Sequence, residues 1–154
     1  LTVKNKSNIN MPFGFGIHPF FNFDDEIVLK FKAEREWIGP PEDFPIKTKL
    51  VKNNFNINDG NKLWKLEKTV CYENFEGDVQ ISWVNKNKKI KINADKIFNH
   101  LIVHVPKGGK YFCIEPVSHP TDSFNLIDKK IENIKNQFLK PNESFTGSIK
   151  IVVN

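Results

Sequence analysis

In the segment Val79-Gln80-Ile81-Ser82-Trp83 apolar and polar residues alternate one for one, the period of a strand with one face buried. Comparable short runs cover residues 26–31, 77–83, 88–93, 101–105, 111–115 and 148–153, each bounded by turn-forming residues. Many short strands with frequent turns predict a sandwich or barrel. Residues 32–49 read differently. Gly39-Pro40-Pro41 and Pro45 oppose regular pairing, so this stretch is expected to be a long surface loop or lid. Residues 128–138 place Ile131, Ile134 and Phe138 at helical spacing, which predicts one short helix or irregular turn. No internal repeat, low-complexity tract or compositional shift divides the chain, so residues 1–154 are expected to form a single β-rich domain.

Composition supports the strand reading. The 154 residues include 14 Phe and one Met, and Asn and Lys are abundant while Ala is scarce, which suits twisted strands and polar turns better than long helices. The length suffices for one domain with a hydrophobic core. The formal charge of +5 comes from lysines scattered along the chain, among them Lys4, Lys30, Lys49, Lys62, Lys86, Lys88 and Lys89. A surface that tracks phosphates needs a clustered basic face, so no nucleic-acid partner is expected.

Cys71 and Cys113 both sit in apolar, strand-like runs and read as buried thiols in a reducing compartment. No run reaches the roughly 18 apolar residues of a membrane helix, and no charged-then-apolar leader opens the chain. A soluble, cytoplasmic protein without a membrane partner is therefore expected. Asn5-Lys6-Ser7 and Asn142-Glu143-Ser144 match the glycosylation sequon, which has little meaning without a leader. The abrupt strand-like opening Leu1-Thr2-Val3 suggests that an N-terminal portion is absent.

Two positions stand out chemically. His18 follows Gly14 and Gly16 and precedes Pro19-Phe20-Phe21, so its imidazole is held at a rigid place among aromatic rings. It reads either as a proton donor or acceptor or as a core histidine with a satisfied hydrogen bond. Glu115 ends the apolar run Tyr111-Phe112-Cys113-Ile114 and precedes Pro116. It reads either as a carboxylate whose pKa burial raises toward that of a general base, or as a strand-end residue facing solvent. His100 and His104 lie four apart on one strand face and, with His18 and Glu115, invite comparison with a three-histidine, one-glutamate metal site. The close His-x-His spacing of such sites is missing, and no metal site is expected. Gly108-Gly109 reads as a tight turn between strands.

Three segments carry a resemblance. Pro12-Phe13-Gly14-Phe15-Gly16-Ile17-His18-Pro19-Phe20-Phe21 is similar to the Pro-x-Gly-x-Gly-x-His-Pro-aromatic-Phe segment of aldose 1-epimerases. The stretch Glu115-Pro116-Val117-Ser118-His119-Pro120-Thr121-Asp122-Ser123-Phe124-Asn125 resembles their Glu-Pro-x-[Ser/Thr]-x-x-x-Asp-Ala-x-Asn segment. Leu139-Lys140-Pro141-Asn142-Glu143-Ser144 resembles their closing Leu-x-Pro-Gly-Glu-Ser turn, with Asn142 in the place of Gly. All three occur in the family's order and spacing.

The resemblance implies an all-β, antiparallel β-sandwich of the galactose-mutarotase kind, a partial domain forming the C-terminal portion of a family member. It implies a monosaccharide partner and neither a metal nor an organic cofactor. It further implies His18 as the acid that protonates the sugar ring oxygen and Glu115 as the base at the anomeric hydroxyl, with Thr69, Phe21 and His119 as substrate-binding candidates. Thr69 stands where the family usually has Asp, and Phe75 where it has Trp, which leaves substrate preference open.

A family member is about twice this long, and its first half supplies a further Arg and His to the cleft. The epimerase reading thus stands beside a non-catalytic carbohydrate-binding protein on the same scaffold and a hexose-6-phosphate mutarotase. Without the first strands, inner-face residues such as Ile81, Trp83 and Ile92 are expected to be partly uncovered. The partner would then be an N-terminal half or a second copy.

Overall fold

The computed structural model describes residues 1–39, 46–51, 56–57, 63, 67–130 and 138–154. In chain order the strands are β1 (Thr2–Lys4), β2 (Met11–Pro12), β3 (Phe20–Asn22), β4 (Ile27–Phe31), β5 (Arg35–Ile38), β6 (Lys47–Leu50), β7 (Asn56–Ile57) and β8 (Thr69–Glu73). Then come β9 (Asp78–Trp83), β10 (Lys88–Ala94), β11 (His100–His104), β12 (Tyr111–Val117), the short helix α1 (Ser123–Asp128), β13 (Phe138–Leu139), β14 (Ser144–Thr146) and β15 (Ile149–Val153).

Two larger sheets stack on one another. The order in the first is β15-β10-β9-β4-β7, and in the second β3-β12-β11-β8-β5-β6; β1-β14 and β13-β2 form two small ribbons. The pairings are antiparallel throughout the described residues. Of the sandwich or barrel predicted from the alternation the chain forms the sandwich, all-β and antiparallel as the resemblance implied.

Period-2 alternation decides what lies between the sheets. Ile27, Leu29 and Phe31 of β4, Val79, Ile81 and Trp83 of β9, and Ile92 of β10 point inward from the first sheet. Phe21, Val70, Tyr72, Leu101, Val103, Phe112 and Ile114 meet them from the second. Phe112 touches Phe21, Phe23 and Trp83 with ring centroids 5.4–6.2 Å apart, so one aromatic cluster bridges both layers.

Three sequence expectations change. Residues 32–49 are not a loop throughout: β5 and β6 pair from Arg35↔Leu50 to Ile38↔Lys47. The glycine and prolines that argued against pairing fall between these strands, and residues 40–45 lie outside the described residues. A short helix that the pattern did not mark forms at Ser123–Asp128; of the predicted helical segment, residues 131–137 lie outside the described residues and Phe138 begins β13.

Ile81, Trp83 and Ile92, expected to be partly uncovered, are 0%, 8% and 0% exposed. The second sheet already covers them, and it is the edge strand β15 that shows apolar side chains, Ile151 and Val153, to solvent.

The closing turn behaves as its sequence suggests. Asn142 adopts φ 65°, the left-handed conformation that Gly or Asn supplies at least strain, and Glu143 accepts a hydrogen bond from Lys140 N at 2.7 Å. The turn is also tied to the chain's first residues by Asn5, which is buried. Asn5 Nδ2 donates to Ile9 O (2.7 Å) and Leu139 O (2.8 Å), and its Oδ1 accepts from Ser7 N and Ser7 Oγ at 2.9 and 2.7 Å. Its sequon match thus belongs to a side chain already committed inside the protein.

Replacing the bridging Phe112 with Ala should lower unfolding free energy by about 3–5 kcal/mol, read as a reduced urea midpoint with an unchanged slope.

Candidate functional site

Strand β12 is buried along nearly its whole length: Tyr111 is exposed, and every residue from Phe112 to Val117 is buried. Alternation sends Phe112 and Ile114 into the core and sends Cys113, Glu115 and Val117 to the opposite face of the same sheet. The strand continues through Pro116, which pairs with Leu101 on β11. This is possible because the carbonyl of Pro116 points the other way, accepting from Ile17 N at 3.3 Å. The missing N–H shares that direction, so no ladder bond to β11 is lost.

The segment carrying His18 is fastened to this outer edge. Gly16 bridges Val117, Phe15 N donates to Ser118 Oγ at 3.0 Å, and Ser118 N donates to Phe15 O at 3.0 Å. Gly16 has to be glycine here: a Cβ would lie 2.5 Å from Pro116 O and 2.9 Å from Val117 Cα. The close approach brings His18 Nε2 to 3.4 Å from Glu115 Oε1. The imidazole is exposed over 56% of its side chain and the carboxylate over 10%, so the pair has one wet member and one dry one. His18 also stacks on Phe20, centroids 4.8 Å apart and planes at 16°. Phe20 in turn meets Tyr111 at 5.2 Å, and Tyr111 meets His104 at 6.4 Å. The exposed rings of Phe20 and Tyr111 and the half-buried His104 form a shelf beside the pair.

Burial sets the electrostatics. Desolvation holds the Glu115 carboxyl above its usual 4.5, and the attraction of His18 opposes part of that rise. Cys113, on the same face, is pushed up to about 11 by burial and by the charge of Glu115. Cys71 is pushed up to about 12 by burial, against hydrogen bonds from Thr121. Both thiols are buried and free. Burial and then His119 push His100 down to about 4, and burial lowers His119 as well.

The other sequence-predicted residues are placed as follows. Thr69, His104, Cys113 and Phe20 form one row across four strands, which puts Thr69 about 10 Å from Cys113 at ordinary strand spacing. The Thr69 hydroxyl is 2.7 Å from His104 Nδ1. Phe21 is not on this face: it lies on the core side against Phe112 and Trp83, and the ring beside His18 is Phe20. His119 packs against Gly14, whose missing Cβ leaves room for the imidazole.

Neither His100 nor His104 joins His18 and Glu115 in a cluster tight enough to share a metal among the described residues; Cys113 does. His100 Nδ1 is 2.7 Å from Asn99 Oδ1, and its Nε2 is buried without a partner. Sequence reasoning saw Cys113 only as a buried thiol, although its position two residues before Glu115 was enough to place both on one face.

The aldose 1-epimerase family model matches residues 1–152. The chain belongs to the aldose 1-epimerase family. Solved structures with the same fold include a galactose mutarotase-like protein from Clostridium acetobutylicum, with 20% identity, a TM-score of 0.80, and alignment over 99% of this chain and 51% of that one. A galactose mutarotase-like protein from Lactobacillus casei ATCC 334 shows 18% identity and a TM-score of 0.72, over 99% and 57%. The galactose mutarotase related enzyme of Lactobacillus acidophilus shows 19% identity and a TM-score of 0.67, over 99% and 55%. The chain therefore spans about half the length of these structures. A search of curated proteins gives no match. Among the described residues no helix is long and apolar enough to cross a membrane.

Two outcomes test this geometry. Gly16→Ala should push the His18 segment off β12, detected as increased solvent exchange of the Ile17 amide and a changed His18 imidazole signal by NMR. For Glu115, a folded-state pKa raised by burial means that its contribution to stability is complete below 4.5 and is lost as pH rises through the folded value. Glu115→Gln should therefore be more stable than the parent at neutral pH, with the difference shrinking toward acid, in denaturation curves taken across that range.

Proposed function

We propose that His18 and Glu115 are the acid and base of an aldose 1-epimerase acting on an aldohexose. The observation that carries this reading is their approach to 3.4 Å beside the exposed rings of Phe20 and Tyr111. Anomer exchange needs a proton delivered to the ring oxygen while another is taken from the hydroxyl on the same carbon. Donor and acceptor must therefore converge on neighbouring atoms, as this pair does.

In the proposed cycle protonated His18 gives its proton to the ring oxygen as Glu115 accepts the anomeric hydroxyl proton. The bond between C1 and the ring oxygen breaks, and the hydroxyl oxygen becomes the aldehyde carbonyl. Rotation about C1–C2 presents the other carbonyl face. His18, now neutral, takes back the ring-oxygen proton, and Glu115 returns its proton to the carbonyl oxygen as the ring closes. Acid and base acting together avoid a full alkoxide and a full oxocarbenium ion. Desolvation of Glu115 favours its role, because a carboxylate held above its usual pKa is the stronger base. Phe20 offers a ring face to the apolar side of the sugar.

This activity is proposed for the family domain as a whole, of which the chain represents about half the length. A second reading, sugar binding without turnover, is favoured by Thr69. The residue stands where the family usually has Asp, and its hydroxyl is already engaged with His104. Polarimetry of freshly dissolved α-D-glucose and α-D-galactose separates the two. The epimerase reading expects acceleration over the spontaneous rate, with His18→Asn and Glu115→Gln each reducing kcat by about 10²- to 10⁴-fold. Sugar binding by a folded chain without acceleration would support the second reading instead.

A further inference from the structure

We propose that Cys113, Glu115 and His18 form a binding site for a divalent cation of the zinc class, and that this cation occupies the atoms otherwise free to move protons. A sulfur, a carboxylate oxygen and an imidazole nitrogen from these residues all lie within 4.8 Å of one another. Cys113 and Glu115 project from the same face of β12, and His18 closes the triangle from the solvent side.

The spacing suits metal coordination better than the existing pair suits a strong hydrogen bond. A charge-assisted N–H···O bond is about 2.7–2.9 Å long, whereas His18 Nε2 and Glu115 Oε1 are 3.4 Å apart. Two ligands of a tetrahedral zinc ion at bond lengths of about 2.0–2.2 Å stand roughly 3.4 Å from each other. The corresponding sulfur edges are about 3.6 Å with a Zn–S bond of about 2.3 Å. Ligand atoms that already lie within 4.8 Å of one another have to close by no more than about 1.2 Å to reach these edges.

The charges also match. A thiolate and a carboxylate together neutralise a dication, so the occupied site is neutral where Glu115 and Cys113 are buried. On binding, the Cys113 S–H bond is replaced by a metal–sulfur bond and the thiol proton leaves to solvent, as metal ligation of a cysteine requires. No oxidant or reductant is involved. Three protein donors leave the fourth position open to water or an anionic ligand. Cys71 does not take part: it lies on β8, with Ile102 of β11 between it and Glu115, and packs with Trp37 and Leu126.

Loss of epimerase activity on metal binding rests on the roles proposed for His18 and Glu115, whereas binding itself does not, so the primary readout is spectroscopic. Titration of the folded chain with Co²⁺ should produce a thiolate-to-metal charge-transfer band and visible bands of tetrahedral intensity, saturating at one metal per chain. Zn²⁺ should displace the cobalt and abolish them. Cys113→Ser and Cys113→Ala, each checked for native circular dichroism, should lose the charge-transfer band. His18→Asn and Glu115→Gln should weaken binding by at least about tenfold, and Cys71→Ser should leave the bands intact. Absence of the charge-transfer band in the folded parent, or its survival in a folded Cys113 variant, would overturn the proposal. In parallel polarimetry, zinc should suppress mutarotation by the parent and leave the rate of a Cys113 variant unchanged; a parent without activity leaves the spectroscopic result standing and counts only against turnover by this chain.

Discussion

Enclosure of β12 from both sides is the constraint from which the rest follows. Phe112 and Ile114 are locked into the aromatic core between the two sheets, while the residues between and after them are covered by the His18 segment. Such a strand has no freedom to slip, because a shift by one residue would send Glu115 into the core and Ile114 toward the site. The ladders to β11 and β3 hold the register, and the register holds the carboxylate. Packing in the interior thus positions a polar atom on the far face.

The same enclosure sets the chemistry. Desolvation raises both Glu115 and Cys113, while His18, attached through a glycine-mediated backbone contact, remains wet. A dry carboxylate next to a wet imidazole is an asymmetric pair: one partner is made more basic by its surroundings and the other can exchange protons with solvent. The cysteine between strand and site adds a third donor of different softness. Proton transfer and metal capture would draw on overlapping atoms, so occupancy by one excludes the other.

Much of this architecture was legible in the sequence, for identifiable reasons. Alternation and short apolar runs marked β4, β9, β10, β11, β12 and β15, of which the first five each have one face in the core. The pair β5 and β6 was hidden by the Gly-Pro-Pro segment next to it and by the mixed polarity of Arg35-Glu36-Trp37-Ile38. The helix escaped because Leu126 is its one large buried apolar residue, too little to make a period. His18 and Glu115 stood out through rigid flanking residues. Phe21 missed its expected place beside the site, and Phe20 stands there, for a simple reason: which of two consecutive residues faces a cleft depends on strand register, and register becomes visible only once β3 is paired with β12. Asn5 was hidden most completely, since a four-way hydrogen-bonded amide leaves no trace in sequence beyond a sequon match that suggests a surface.

That Asn5 amide has a further consequence for how the chain comes into being. It joins a loop near residue 9 to a carbonyl 134 positions downstream, and β1 pairs with β14 across a similar span. Contacts of such range are reached late, after much loop entropy has been given up. During synthesis β1 leaves the ribosome well before β14, so this ribbon can close only after the strands of both sheets up to β12 have emerged. The edge of β1 waits for that partner until then, and closing the ribbon is the step of assembly that a truncation before residue 144 would leave undone.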